Sequence, residues 1–372
     1  MQPPVMPNSH VDNSAQPASE GNDAPLLPAV SPEDCVLITG ATGFVGSHVA
    51  ERLTATPARI RTLVRSESDV SFLRTLNVEC VAGSMTDPDS LSSALAGVTH
   101  VVHCAAKVGD WGPVEDYRDV NVTGLKHLLQ ACESAETVRQ FIHMSSLGVY
   151  PARDHHGTDE TAPVNRDGID GYTLSKVEAE DVLRESAERR TFPVVILRPG
   201  FIYGPRDRIV MPRLLTALRE GKVKFLGSGD QLLNQIYVGN LVDAVMLAWD
   251  RKDLDGQTFN LTDGQLVTRK EFFESICRAM GWKTPHRHVP LWLARPLAGL
   301  METTARLRGA KEAPLLSQAR IKFLGLNLDF SIDRATEILG YRPKISFSRG
   351  IAATMEWFQQ PGQTTSATTS PE

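Results

Sequence analysis

Two side chains that could move a proton, those of Tyr172 and Lys176, lie four residues apart. Residues 171–183 have a helical pattern, so this spacing puts both side chains on one helix face. A phenol titrates at about pH 10 on its own, and a neighbouring ammonium favours the phenolate and lowers that pKa. Ser146 follows a short apolar run at 141–144, and its hydroxyl could hold the same reacting oxygen. The three side chains predict proton transfer to or from an alcohol or carbonyl oxygen; the alternative is a solvated helix face beside a serine that ends a strand.

A glycine-rich turn is the second chemical signal. Gly40, Gly43 and Gly46 follow the apolar run at 35–38 and precede an amphipathic stretch that starts near Val45. In such a turn the first glycine makes the bend, the second lets phosphate oxygens approach the backbone, and the third lets helix and strand pack closely. The N–H groups and the dipole of the following helix attract an anion. The turn predicts a dinucleotide pyrophosphate site, against the alternative of an ordinary connection between strand and helix.

Short β-branched runs alternate with helical patterns along the first half of the chain. Such alternation predicts an α/β fold, a doubly wound parallel sheet with helices on both faces and ligands at the carboxyl ends of its strands. Both chemical signals fall directly after such a run. We predict strands at residues 35–38, 60–64, 78–82, 100–104, 141–144, 194–197 and, later, 257–261.

After the sixth run the pattern loosens. Residues 198–207 are rich in Gly and Pro, residues 225–236 resemble a loop, and the clearest later helices lie at 269–280 and 332–339. We therefore expect a smaller, discontinuous α/β region that caps the first domain and supplies substrate contacts. The predicted boundaries are 31–205 with a return at 236–262 for the dinucleotide-binding domain, 206–235 and 263–360 for the substrate-binding region, and 1–30 and 361–372 for disordered tails.

Composition and charge exclude several classes of protein. The 372 residues carry a formal net charge of -5 with scattered Lys and Arg, which offers no basic field for nucleic acid. The five cysteines are odd in number and form no CxxC pair, so we expect a reduced, cytoplasmic protein without structural zinc or another metal.

The apolar stretch at 289–307 is interrupted by Arg295 and Pro296 and is too short to span a bilayer. An amphipathic helix that covers a core or a pocket is favoured there, and shallow contact with a membrane surface is left open.

Several motifs, in this order, resemble those of the extended short-chain dehydrogenase/reductase family. The resemblance runs from about Asp34 to Phe358 and is nearest to the 3β-hydroxysteroid dehydrogenase and dihydroflavonol reductase branch. The motifs are Thr39-Gly40-Ala41-Thr42-Gly43-Phe44-Val45-Gly46, Ala105-Ala106, Asn121-Val122-Thr123-Gly124, Ser145-Ser146-Leu147-Gly148-Val149-Tyr150, Tyr172-Thr173-Leu174-Ser175-Lys176 and Leu197-Arg198-Pro199-Gly200-Phe201-Ile202-Tyr203-Gly204-Pro205.

The resemblance implies a Rossmann domain that binds NAD or NADP, and a homodimer. It implies catalytic roles for Ser146, Tyr172 and Lys176, with the positive nicotinamide ring of an oxidised cofactor helping Lys176 to lower the pKa of Tyr172. The turn, the strand ends and the resemblance together predict a set of cofactor-binding residues. They are Gly40, Thr42, Gly43, Phe44, Val45, Gly46, Arg65, Ser66, Ser84, Met85, Ala105, Ala106, Tyr172, Lys176 and Pro199.

Two reaction classes compete within this family. One is an oxidoreductase acting on a secondary alcohol or ketone of a bulky apolar substrate, such as a 3β-hydroxysteroid or sterol; the other is a nucleotide-sugar epimerase or dehydratase with bound NAD. Sugar-nucleotide members typically have Asn where this chain has Phe201, and an Arg that clamps the diphosphate where it has Leu233. Phe201, Lys107 and Trp111 are candidate substrate contacts, although Trp111 could equally be a packing residue. These features favour the oxidoreductase, and the intact Ser-Tyr-Lys set argues against a binding protein without catalysis.

The end of the second predicted strand bears on the choice of cofactor. An acidic residue there would bind the adenosine ribose and repel a 2′-phosphate, whereas an Arg can accept that phosphate. This chain has Arg65 followed by Ser66, so we predict that NADP(H) is favoured over NAD(H). Ser84 stands where the family usually has an Asp that bonds adenine, and a serine can do so more weakly.

Overall fold

A computed structural model of the chain describes residues 29–189, 191–310 and 312–361. The predicted disordered tails lie outside these residues except for residues 29, 30 and 361. The strands are β1 (Cys35–Thr39), β2 (Arg59–Val64), β3 (Glu79–Ala82), β4 (His100–His103), β5 (Gln140–Met144), β6 (His155–Thr158), β7 (Val194–Pro199), β8 (Phe201–Tyr203), β9 (Phe225–Leu226), β10 (Leu232–Leu233), β11 (Gln235–Tyr237), β12 (Thr258–Leu261), β13 (Val267–Thr268), β14 (His288–Val289) and β15 (Leu328–Phe330).

The helices connect these strands and cover the sheet. They are α1 (Phe44–Leu53), α2 (Ser71–Thr75), α3 (Pro88–Ala94), α4 (Val114–Arg118), α5 (Gly124–Ala135), α6 (Gly171–Arg189), α7 (Val210–Arg219), α8 (Val238–Ala248), α9 (Arg269–Met280), α10 (Leu291–Leu307), α11 (Gln318–Gly325) and α12 (Phe347–Gln359). π-Helical turns lie at Asp119–Thr123 and Ala335–Leu339, and 3₁₀ turns at Leu147–Val149 and Lys252–Leu254.

Seven strands form one parallel sheet in the order β12-β7-β5-β4-β1-β2-β3. The seven runs predicted as strands form this sheet, which confirms the doubly wound α/β fold. From β1 the chain runs outward to β3 and then crosses to β4 on the other side of β1. Ligands of open α/β sheets bind beyond the carboxyl ends of the strands at such a reversal.

Both faces of the sheet are buried, because successive residues of each strand point to opposite sides. On one face Val36 and Ile38 pack with α1 and α8. On the other face Cys35 and Leu37 pack with α3, α5 and α6. The sheet is therefore a fixed platform from which the loops at its carboxyl edge extend.

A second region is built from helices and two-stranded pairs. β8 pairs with β11, β9 with β14 and β6 with β15 in parallel, and β10 pairs antiparallel with β13. The prediction of a loop at 225–236 was wrong, because β9, β10 and the start of β11 lie there. These strands are only two or three residues long and pair with distant segments, so they leave no period in the sequence. β6 lies inside the predicted 31–205 domain but pairs with β15, so the two predicted units share this pair.

Candidate active site

The glycine turn between β1 and α1 has no room for side chains. Gly40 has φ +72°, and a Cβ added there would lie 2.7 Å from the backbone N of Ala105. A Cβ on Gly46 would overlap the carbonyl O of Gly40. α1 begins with no side chain capping its N–H groups and no acidic residue in its first turn. The turn therefore fits an anion such as a pyrophosphate, and Thr42, Phe44 and Val45 are partly exposed around it.

The end of β4 closes against this turn. The backbone N of Cys104 donates to the carbonyl O of Thr39 over 3.2 Å, and the backbone N of Ala105 donates to the Thr39 hydroxyl over 3.3 Å. Ala105 and Ala106 are half-buried there, beside the glycine turn. Because both side chains are small, they leave space for a ligand beyond the carboxyl ends of β1 and β4, where the strand order reverses.

Ser146, Tyr172 and Lys176 come together beyond the carboxyl end of β5. Ser146 Oγ accepts a hydrogen bond from the backbone N of Gly148 over 3.0 Å, and the Ser146 side chain is near enough to Tyr172 to influence the pKa of the phenol. The buried Lys176 Nζ donates to the carbonyl O of Met144 over 2.7 Å and lies 6.0 Å from the centre of the Tyr172 ring. The residues grouped from the sequence are thus neighbours, and a reacting oxygen could meet the two hydroxyls together.

The protein alone does not favour the phenolate. Burial raises the pKa of Tyr172 to about 12, the nearby Ser146 hydroxyl opposes this effect, and the Asp170 carboxylate adds to it. Burial also lowers the pKa of Lys176 to about 8. In the protein alone burial therefore dominates, and the predicted lowering of the Tyr172 pKa by Lys176 together with the nicotinamide ring stays a prediction. A phenolate here needs a further positive charge, which the ring of an oxidised nicotinamide cofactor supplies when bound.

A buried ion pair anchors the helix that carries Tyr172 and Lys176. Arg198 on β7 donates from Nε and Nη2 to the two carboxylate oxygens of Glu180 on α6, over 2.8 and 2.6 Å. Ser145 Oγ donates to the same carboxylate over 2.7 Å. Glu180 and Arg198 are 0% and 3% exposed, so the pair is withdrawn from water. Sequence reasoning missed this pair, although Glu180 lies four residues after Lys176 on the same helix face.

The sequence of this chain matches a known protein family. A family model described as the NAD dependent epimerase/dehydratase family matches residues 36–262, which is more than half of the chain. The chain belongs to this family. The resemblance to extended short-chain dehydrogenases, the Rossmann fold and the prediction of an enzyme with a nicotinamide cofactor are thereby confirmed.

Relatives of named activity lie within the same family. The decarboxylating sterol-4-alpha-carboxylate 3-dehydrogenase of Saccharomyces cerevisiae is 30% identical over 88% of this chain and 98% of its own. The 2-alkyl-3-oxoalkanoate reductase of Shewanella oneidensis is 27% identical over 84% of each chain. These relatives are a dehydrogenase and a reductase, which confirms the prediction of an oxidoreductase acting on hydroxyl or keto groups.

Solved structures agree on the fold. The crystal structure of gox2253 has a TM-score of 0.74 and 32% identity, covering 89% of this chain and 99% of that one. The UDP-glucuronic acid 4-epimerase of Bacillus cereus, solved as a mutant with a UDP-sugar analogue and NAD, has a TM-score of 0.70 at 21% identity over 88% and 99% of the two chains. At that identity the second likeness supports the family fold alone.

The remaining predicted cofactor residues differ in their exposure and in their hydrogen-bond partners. Arg65 is 64% exposed and its Nε lies 3.0 Å from a carboxylate oxygen of Glu67, to which Ser66 Oγ also donates. Ser84 Oγ is 3.0 Å from the hydroxyl of Thr86. Two others are buried: Met85 packs in the core, so only its backbone could face a ligand, and Pro199 ends β7.

Two arginines near the turn were not singled out from the sequence. Arg206 and Arg208 line a small concavity together with Ala41, Thr42, Gly43, Ser47, Asp69, Phe72 and Leu73. The Arg206 guanidinium lies 4.4 Å from the centre of the Phe72 ring and 2.6 Å from a Glu51 carboxylate oxygen. Its Nε is buried without a hydrogen-bond partner. The only sequence signal was two Arg directly after the Gly204-Pro205 motif.

The three predicted substrate residues have different partners in the fold. Lys107 Nζ lies 2.7 Å from an Asp116 carboxylate oxygen, and Trp111 Nε1 donates to the carbonyl O of Ala310 over 2.8 Å. Phe201 packs 4.9 Å from the Phe323 ring, between the central sheet and the second region. Lys107 and Trp111 belong to the loop after β4, which the buried Asn121 side chain holds through both backbone groups of Lys107.

A buried ammonium beside the site was also missed. Lys322 on α11 is 8% exposed, and its Nζ donates to the carbonyl oxygens of Gly148 and Tyr150, directly after Ser146. Burial lowers its pKa to about 8, with the Asp170 charge opposing, so it is cationic at neutral pH. Its position on a late helix gave no hint that it would reach the segment after β5.

Proposed function

We propose that this protein transfers hydride between NADP(H) and a secondary alcohol or ketone of a bulky apolar, sterol-like substrate. The observation that carries the proposal is the grouping of Ser146, Tyr172 and Lys176 beyond the carboxyl end of β5, at the same edge of the sheet as the glycine turn that follows β1. The nicotinamide supplies or accepts the hydride when bound. The dehydrogenase and reductase relatives support the same reaction class.

Each of the three side chains has a distinct task in this proposal. During reduction the Tyr172 hydroxyl donates its proton to the substrate carbonyl oxygen as negative charge develops there. Ser146 Oγ–H holds the same oxygen in line with Tyr172. Lys176, fixed by its bond to Met144, places a positive charge beside the phenolate that remains. In the oxidation direction the same atoms work in reverse.

Two side chains argue against a sugar-nucleotide substrate, because one is apolar and buried and the other is already bonded to backbone carbonyl oxygens. Leu233, at the position where sugar enzymes clamp the diphosphate, is 5% exposed in an apolar cluster. The neighbouring Arg269 guanidinium is already used, because it donates to the carbonyl oxygens of Gln231, Leu232 and Phe323. The Arg269 cation is therefore already bonded to backbone carbonyl oxygens, which argues against its use as a diphosphate clamp.

A carboxylate on the substrate fits Lys322. Two of its three protons go to carbonyl oxygens, which leaves one for an anion beside the residues after Ser146. The named relatives act on a sterol carboxylate and on a 3-oxoalkanoate. We therefore propose that the substrate class is a β-hydroxy or β-keto acid with a large apolar body.

A substrate screen tests both parts of this proposal. With NADPH we expect turnover of long-chain or polycyclic 3-oxo acids, and about tenfold lower kcat/KM for the matched ketones without the carboxylate, because a charge-assisted hydrogen bond is lost. Lys322→Gln should shrink that ratio, because the acid loses its charged partner and the plain ketone does not. Turnover restricted to UDP- and TDP-sugars would overturn the proposed function. Equal rates on the acid and the matched ketone would overturn only the proposal that the enzyme recognises a substrate carboxylate.

Cofactor preference gives a second test. Arg65→Ala should reduce the affinity for NADPH by about tenfold and leave that for NADH nearly unchanged, because only NADPH carries a 2′-phosphate. Glu67→Gln is the matched control: it frees Arg65 from its ion pair and should raise NADPH affinity. Dissociation constants from the fluorescence of each reduced cofactor measure both effects. A wild-type preference for NADH would remove Arg65 from this role.

A cytoplasmic homodimer completes the proposal. A surface groove between α5 and α6 is lined by Lys126, Leu129, Gln130, Glu133, Val182, Glu185 and Arg189. Paired helices of this kind can form a bundle with the same two helices of a second copy.

A further inference from the structure

The helix α10 presents its large apolar side chains to solvent. Trp292, Leu293, Leu297, Leu300 and Leu307 are 76, 47, 42, 62 and 83% exposed. Only the small Ala294 and Ala298 are buried, against Leu226 and Ile321. The sequence favoured a helix that covers a core or a pocket with its apolar side. In the structure two alanines make that contact, while the larger apolar side chains point to solvent. We call these five exposed residues the α10 face.

The α10 face is continuous and has basic flanks. At about 100° per residue its five side chains span an arc of about 140°, and Arg295 and Arg306 flank this arc, about 60° and 40° from Trp292. Residues 283–308 carry five basic side chains and one acidic one, in a chain whose net charge is -5. The five are Lys283, Arg287, Arg295, Arg306 and Arg308, and none is within ion-pair distance of a carboxylate among the described residues.

We propose that the α10 face docks the protein on the surface of an anionic lipid bilayer. A helix with an exposed face of Trp and Leu and with Arg along the edge of that face can lie in the plane of a lipid interface, with its apolar side between the headgroups. Local positive charge on an otherwise acidic protein complements anionic headgroups. A second copy of this chain is a poorer occupant, because a symmetric contact would bring two positive surfaces together. Within the described residues no helix could cross the bilayer, so the contact is peripheral.

Contacts at the end of α10 connect this face with the candidate site. The Arg306 guanidinium lies 5.7 Å from the centre of the Trp111 ring, and Trp111 also bonds Ala310. Arg320 Nε, on α11, donates to Asp110 over 2.9 Å. The loop after β4 is thus held against the segment that follows α10. Resting on the proposed function, this arrangement would let an apolar substrate pass from the lipid to the site without crossing water.

Vesicle flotation of the purified full chain tests the docking without any substrate. We expect binding to vesicles in which about one lipid in four is phosphatidylglycerol, and at least about tenfold weaker binding to pure phosphatidylcholine. The double variant Trp292→Ser with Leu300→Ser should reduce binding by more than about tenfold, and Arg295→Gln by about fivefold. These side chains are exposed, so the variants should keep the unfolding temperature of the wild type.

The matched control is Leu266→Ser, which removes a side chain that is 70% exposed on another surface and should bind as the wild type does. Three results would overturn the proposal: no flotation with anionic vesicles, equal loss with the control, or concentration-dependent self-association that the double variant abolishes. Reductase activity on a water-soluble ketone is measured in parallel. Its absence would count against the proposed function and leave the docking result standing.

Discussion

Replacing Tyr172 by Phe is expected to lower kcat for ketone reduction by about 10²- to 10⁴-fold. The phenol lies near the Ser146 hydroxyl and can give a proton to the oxygen that this hydroxyl holds, and its pKa of about 12 keeps it protonated in the enzyme alone. The variant removes one oxygen atom and keeps the ring, so packing around α6 should be unchanged. Steady-state rates with NADPH and the best 3-oxo acid from the screen give the measurement.

Two comparisons make this result specific to proton transfer. Cofactor dissociation constants of the Tyr172→Phe variant should stay within about threefold of the wild type, because the glycine turn is untouched. Tyr117→Phe is the matched control: its hydroxyl donates to the carbonyl O of Trp111 over 2.7 Å and not to Ser146. That variant should keep most of its activity. If Tyr172→Phe retained more than about a tenth of wild-type kcat, another group would have to carry the proton.

The parts of the site that the sequence predicted are encoded locally. The glycine turn requires three positions without side chains within seven residues, and Tyr172 and Lys176 share a helix face through their spacing alone. The strands of the central sheet are buried on both faces and therefore appear as apolar runs. Patterns of this kind depend only on residues that are close in sequence, so they can be recognised without knowing how the rest of the chain folds.

The parts that the sequence did not predict depend on distant partners. Lys322 reaches the segment after β5 only because α11 packs there, 174 residues later in the chain than Gly148. The short strands β9 and β10 exist because β14 and β13 lie beside them. The effect of burial on the pKa of Tyr172 was missed for the same reason, because the number of atoms packed around a side chain cannot be read from its neighbours in sequence.

The pair of Glu180 and Arg198 yields the prediction with the largest effect on stability. Glu180→Gln should lower the free energy of unfolding by about 3–5 kcal/mol, because the Arg198 charge would remain buried without its counter-charge. Chemical denaturation at neutral pH measures the loss. The surface pair of Arg251 and Asp253 is the control, since its side chains are 38% and 62% exposed and Asp253→Asn should cost less than about 1 kcal/mol.

A double variant separates the ion pair from simple packing. Arg198→Met alone should also be costly, but Glu180→Gln combined with Arg198→Met should cost clearly less than the sum of the two, because neither charge is then left alone. The pair joins α6 to β7 and, through Ser145, to the end of β5, so it fixes Tyr172 relative to Ser146. Activity of the double variant should fall through kcat rather than through cofactor affinity. Additive stability losses would mean that the two charges do not support each other, and the orientation of Tyr172 would then have to come from the other contacts of α6, such as the Lys176 bond to Met144 and the Asn121 bond to Ser175.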